Sequence, residues 1–160
     1  MKTIILYATK YGAAAEIAQR ISSQLEGSSV YDLKQEGIPD LTEFDCVIIG
    51  SSVYAGMLRK EAKSFILQNA GDLCEKKPGL FISGMSEGDG AGIFKANIPG
   101  EVLEATKVSC ILGGVFDPKK ANFFERLIMK AVSKQSDYMS TISDEKISEF
   151  VEAVKAADSI

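Results

Sequence analysis

The chain has 160 residues, 46% apolar and 25% charged, which suits one globular domain with a hydrophobic core of its own. Its net charge of −4 argues against a nucleic-acid binder, whose footprint is a basic excess, and the absence of histidine removes histidine acid–base chemistry, the serine triad and most zinc sites. No apolar run reaches the roughly 18–20 residues of a membrane span, and the start runs straight into a strand-like segment without a secretory-leader layout, so a cytoplasmic location is expected.

Lys2 to Ala8 reads as a strand rich in Ile and Leu, broken by Thr9 to Ala13. A helix follows over Ala14 to Glu26: Ile17, Ile21 and Leu25 recur every four residues with Ala18 beside them, and Gly27 stops it. Ser29 to Leu33 is a short second strand. Asp45 to Gly50 is a third, and its unbroken apolar run, Cys46 to Ile49, calls for cover on both faces, as in a parallel sheet. Leu58 to Asn69 predicts a helix, and Pro78 to Gly84 a fourth strand centred on Leu80, Phe81 and Ile82. Glu87 to Gly92 reads as a loop, and Pro99 as the first position of a short helix with Val102 and Leu103 inward. Lys107 to Phe116 is the fifth strand and Phe123 to Val132 a further helix. Ser143 caps the last helix, Asp144 and Glu145 sit in its first turn, and Ile147, Phe150, Val151 and Val154 form its buried stripe. Cys46, Cys74 and Cys110 are odd in number and widely spaced, so they read as reduced thiols rather than a disulfide framework.

Five strands alternating with helices make an α/β, doubly wound parallel sheet, because parallel strands need crossover connections. Such sheets bind ligands beyond the carboxyl ends of the strands, where strand order reverses. That rule selects four loops. The first is Thr9, Lys10, Tyr11, Gly12, Ala13 and Ala14, between a buried strand and a helix start whose unpaired amides attract phosphate; a plain strand-to-helix turn is the alternative. The second is Gly50, Ser51, Ser52, Val53, Tyr54, Ala55, Gly56 and Met57, where Tyr54 can stack on a planar ring or merely cover a helix start. The third runs from Gly84 through Met85, Ser86, Glu87, Gly88 and Asp89 to Gly90, and the fourth is Gly113, Gly114, Val115 and Phe116. Neither a G-x-x-x-x-G-K-[ST] run nor a G-x-G-x-x-G run is present, and Tyr7, Ala8 and Thr9 end the first strand without the acids that a magnesium-holding receiver needs.

The segments Ile4 to Arg20, Asp45 to Met57 and Ile98 to Met129 resemble a flavodoxin-domain family that includes the menaquinone-dependent protoporphyrinogen oxidases. The resemblance covers nearly the whole chain in order. It is most specific at Pro99 to Glu104, Gly113-Gly114 and Phe124 to Leu127. It implies a flavodoxin-like three-layer sandwich over residues 1–160, with a five-stranded parallel sheet in order 2-1-3-4-5 and non-covalent flavin mononucleotide (FMN) as cofactor. The FMN phosphate would sit on Thr9 to Ala14. The isoalloxazine would lie between Ser51 to Gly56 and Gly84 to Gly88, with Gly113 to Phe116 nearby. The family pattern at the phosphate is T-x-T-G-x-T; here Tyr11 stands for its second hydroxyl residue and Ala14 for its third.

The resemblance implies two redox roles, a carrier docking on a partner protein and an enzyme passing electrons to a small acceptor such as a quinone. A third reading is an interaction module that has lost FMN. Glu87 and Asp89 would disfavour a negatively charged reduced flavin. Residues 117–134 mix Lys119, Lys120, Arg126, Lys130 and Lys134 with Phe123, Phe124, Leu127, Ile128 and Met129. Such a helix either touches an anionic membrane surface or packs on the sheet with its charges in water.

Overall fold

Alternation along the strands decides how the layers form. In the structure, a computed structural model that describes residues 1–85, 90–119 and 138–156, strand β1 (Thr3–Ala8) sends Ile4 and Leu6 to one face of the sheet and Ile5 to the other. Strands β3 (Cys46–Tyr54) and β5 (Gly79–Ser83) do the same, with Val47, Ile49, Leu80 and Ile82 on the first face and Ile48 and Phe81 on the second. Each face therefore needs a helical layer.

Helices α1 (Ala13–Ser23) and α6 (Asp144–Ala156) cover the second face, burying Ile17, Ile21, Ile147, Phe150 and Val154. Phe150 meets Phe81 edge-on, with ring centroids 6.2 Å apart at 82°. Gly50 makes that possible, since a Cβ there would lie 1.9 Å from the Phe81 ring. Helices α2 (Lys60–Gln68), α3 (Ala70–Lys76), α4 (Ala91–Asn97) and α5 (Gly100–Ala105) supply Ile66, Leu73, Phe94 and Val102 to the core on the first face. Burying each such side chain stabilises the fold by ~1.5–3 kcal/mol.

The parallel strands run in the order β2 (Ser28–Asp32), β1, β3, β5, β6 (Val108–Ile111). In register, Thr3 sits beside Ser28 and Cys46, Ile48 beside Gly79, and Gly79 beside Val108. This is the flavodoxin-like three-layer sandwich expected from the sequence, the five parallel strands following the order 2-1-3-4-5. Ser143 caps α6 as expected, its hydroxyl accepting from the Lys146 amide at 3.2 Å.

Several elements differ from expectation. Strand β3 does not stop at Gly50; it continues to Tyr54 and folds back through Ala55 and Gly56 into a short antiparallel strand, β4 (Met57–Leu58), so α2 starts at Lys60 rather than Leu58. The fifth parallel strand ends at Ile111, and Val115–Phe116 instead form β7, which pairs antiparallel with β8 (Met139–Ser140). Helices α3 and α4 occupy stretches that carry no helical assignment in the sequence reading. The expected helix over Phe123 to Val132, and the bulk of the 117–134 segment read as a membrane contact, lie outside the described residues. Among the described residues no helix is long and apolar enough to cross a membrane.

Candidate functional site

At the carboxyl ends of β1, β3, β5 and β6 a cleft of about 510 Å³ opens. Its floor is the start of α1. Gly12, with φ 101°, turns the chain from β1 into the helix, and its amide donates to Thr9 Oγ1 at 2.9 Å. No side chain caps α1. The amides of Ala13, Ala14 and Ala15 therefore stay outside the helical ladder, which begins with the Glu16 amide donating to the Gly12 carbonyl at 3.0 Å. The Thr9 hydroxyl, accepting from Gly12, keeps its own proton to donate. A helix start so arranged favours an anion.

One wall is the β3–β4 hairpin. Ala55 (φ 50°) and Gly56 (φ 75°) are both left-handed, which is the geometry of a two-residue hairpin turn matched to strand twist. The turn is tied to the body through Asn97 at the end of α4, whose amide nitrogen donates to the Gly56 carbonyl at 2.8 Å and whose oxygen accepts from the Leu58 amide at 3.2 Å. Lys10 joins floor to wall: its ammonium lies 5.0 Å from the Tyr11 ring centroid and 5.5 Å from that of Tyr54. Tyr54, which lines the cleft, and its hairpin partner Met57 are both half exposed.

The opposite wall is built from Gly84, Met85, Gly114, Val115 and Phe116. Here the two loops touch through glycine. A Cβ on Gly114 would lie 2.8 Å from the Gly84 carbonyl carbon, and the Gly84 amide donates to the Gly113 carbonyl at 3.1 Å. Thr141 locks the pair, its amide donating to the Gly114 carbonyl at 2.8 Å and its hydroxyl accepting from the Gly114 amide at 3.0 Å.

The structure thus brings Thr9, Lys10, Tyr11, Ala13, Ser52, Val53, Tyr54, Ala55, Gly56, Gly84, Met85, Gly114 and Phe116 to one cleft. Four other expected residues do not line it. The Gly12 amide is already bonded to Thr9, and Ala14 is wholly buried against the sheet. Ser51 is buried in the wall, donating to the Ser52 carbonyl at 2.8 Å and accepting from the Arg59 amide at 3.0 Å. Gly113 packs against Thr141. Ser86, Glu87, Gly88 and Asp89 lie outside the described residues.

Arg59, Ile82, Ser83, Ile93, Ile111 and Asp117 also line the cleft and were not anticipated. Ile82 and Ile111 are strand-end residues, which the carboxyl-end rule could have selected; Arg59 follows a hairpin that the sequence does not announce. Ser52 Oγ and Arg59 Nε are buried and hydrogen-bond nothing among the described residues, Arg59 Nε having only Glu61 at 3.8 Å. Buried polar atoms of this kind call for a partner. The cleft therefore offers an anion seat at its floor, a largely apolar slot, and leftover polar atoms on one wall. That combination fits a flat aromatic group carrying a phosphate.

Comparison with known proteins places the fold among flavodoxin structures. The structure is similar to a short-chain flavodoxin associated with a bacterial microcompartment (17% identity, 98% of this chain and 99% of the other, TM-score 0.59). It is similar to the flavodoxin of Streptococcus pneumonia TIGR4 (17%, 97% and 98%, 0.57). It also resembles rubredoxin oxygen:oxidoreductase from Desulfovibrio gigas (11%, TM-score 0.63), covering 97% of this chain but only 35% of that larger protein. At these identities the likeness speaks to the fold alone. No curated protein matches the sequence. A family model described as "Flavodoxin domain" matches residues 4–143. The chain therefore belongs to the flavodoxin-domain family, whose cofactor is FMN.

Proposed function

We propose that this chain holds FMN in the cleft and passes electrons to or from a redox partner protein. The carrying observation is the convergence of an uncapped helix start and two strand-end walls on one cavity. In this reading the phosphate meets the start of α1 at the Ala13 amide and the Thr9 hydroxyl, while Lys10 adds positive charge. The flat ring occupies the slot between Ser52 to Gly56 and the Gly84, Met85, Gly114 and Phe116 wall. FMN supplies the redox chemistry; the chain fixes its orientation, its access to water and the charges around it. Tyr54 and Met57, 47% and 49% exposed, keep one rim open to a docking partner.

A second reading is an FMN-dependent oxidoreductase of the menaquinone-dependent protoporphyrinogen oxidase type, with a small acceptor such as a quinone. One observation favours it: the β7–β8 pair forms at the cleft edge, and Val115 and Phe116 line the cavity with apolar surface that a small apolar acceptor could meet. An absorbance spectrum of the purified protein followed by anaerobic reduction and quinone-coupled assay separates the readings. Reversible flavin reduction without protoporphyrinogen turnover supports the carrier. Quinone-dependent turnover supports the enzyme. Colourless protein that takes up no added FMN contradicts both.

A further inference from the structure

Asn97 is a polar side chain buried to 8% exposure in an otherwise apolar layer. Its amide makes three hydrogen bonds: nitrogen donates to the carbonyls of Gly56 and Ile93, each at 2.8 Å, and oxygen accepts from the Leu58 amide at 3.2 Å. Two carbonyls on one side and an N–H on the other fix which end is which. Two of these bonds reach about forty residues back along the chain to the hairpin that forms one wall of the cleft. That hairpin holds Ala55 at φ 50°, a left-handed conformation that a side-chain-bearing residue keeps only when its surroundings over-determine it. With the Gly56 carbonyl engaged by Asn97, the turn presents Tyr54 and Ala55 to the cleft in one arrangement.

Resting on the FMN reading above, we propose that Asn97 is a positioning residue. By holding the Gly56 carbonyl and the Leu58 amide, it sets the shape of the wall that receives the flavin ring and so the balance between oxidised and reduced cofactor. It touches no cofactor itself. Reduced flavin, when bound, would offer ring N–H groups that need acceptors from the chain. A Gly56 carbonyl released from Asn97 can meet that need, so loss of Asn97 weakens oxidised FMN more than reduced FMN.

The test compares holoprotein with Asn97→Ala and Asn97→Asp. Asn97→Ala removes both hairpin bonds, whereas Asn97→Asp keeps an acceptor for Leu58 and loses the donor to Gly56; if one variant fails to fold, the other carries the test. Hydrogen exchange at the Leu58 amide should quicken about fivefold in Asn97→Ala, as expected for one lost hydrogen bond, and stay near wild type in Asn97→Asp, with β1 unchanged in both. The dissociation constant of oxidised FMN should rise about fivefold more than that of reduced FMN in both variants. Unchanged exchange at Leu58 in Asn97→Ala, or equal loss for both flavin forms, overturns the proposal alone. Wild-type protein that takes up no FMN overturns the cofactor reading and the proposal with it.

Discussion

At Gly56 a Cβ would meet nothing within 4 Å, whereas at Gly113 it would lie 2.1 Å from the Thr141 carbonyl oxygen and at Gly114 2.8 Å from the Gly84 carbonyl carbon. The two walls of the cleft use glycine for opposite reasons. In the hairpin wall glycine serves the backbone: φ 75° is a left-handed angle, and the space above it is open. In the Gly113–Gly114 wall glycine serves packing first, letting two loops touch with no side chain between them, although Gly113 is left-handed as well at φ 95°. One wall is therefore sensitive to backbone conformation and the other to volume, and substitutions separate them.

The largest effect belongs to the packed wall. Gly113→Ala places a methyl group against main chain that cannot swing aside, at a position whose φ of 95° also disfavours alanine. Overpacking with added backbone strain should cost about 3 kcal/mol, read as a lowered urea midpoint. Near-wild-type stability would mean that Thr141 does not hold this wall. The open wall behaves differently: Gly56→Val should cost about 1 kcal/mol in stability yet shift the flavin potentials. A potentiometric titration with unmoved potentials would remove the hairpin from the cofactor's surroundings.

Gly12 extends the contrast to the floor. Its Cβ would also meet open space, but φ is 101°. Gly12→Val should lower FMN affinity about tenfold through backbone strain of ~1–3 kcal/mol at the helix start, while leaving riboflavin, which lacks the phosphate, much less affected. Lys10→Gln should have a smaller effect. Losing an exposed cation over two tyrosines is worth ~0.5–1 kcal/mol, a few-fold in FMN affinity, and should flatten the salt dependence of binding.

The smallest effect lies away from both walls. Burial pushes the Cys110 thiol up to about 11; Lys146 pulls it down and Glu149 adds to the rise. The folded chain holds this proton more tightly than the unfolded one. The associated stability is thus complete below the ordinary value of 9.0 and disappears as pH climbs towards 11. Alkylation of Cys110 should stay slow at pH 8. Fast labelling there would show that the thiol is not shielded beneath α6.

Much of this was legible in the sequence because the core repeats simple periods. Ile4, Ile5 and Leu6, or Leu80, Phe81 and Ile82, announce doubly covered strands, and Ile147, Phe150, Val151 and Val154 announce a one-sided helix. The hairpin was not legible. Gly50 to Tyr54 has the small polar residues of a loop, and its two-residue turn carries Ala55 where Asn or Asp would have signalled it. Asn97 gave no signal either, since its meaning depends on partners about forty residues away. The β7–β8 pair was hidden for the same reason: Val115 and Phe116 read as the end of a buried strand until Met139 and Ser140 are set beside them.

The central claim, that an uncapped helix start holds the phosphate of a flavin whose ring lies between two glycine-bearing walls, is tested most directly by titrating flavin-free protein with FMN and with riboflavin while following flavin fluorescence. Saturable quenching at one FMN per chain, with riboflavin bound at least about tenfold more weakly, is the predicted result. Equal affinity for the two flavins, or no quenching by FMN at all, would contradict it.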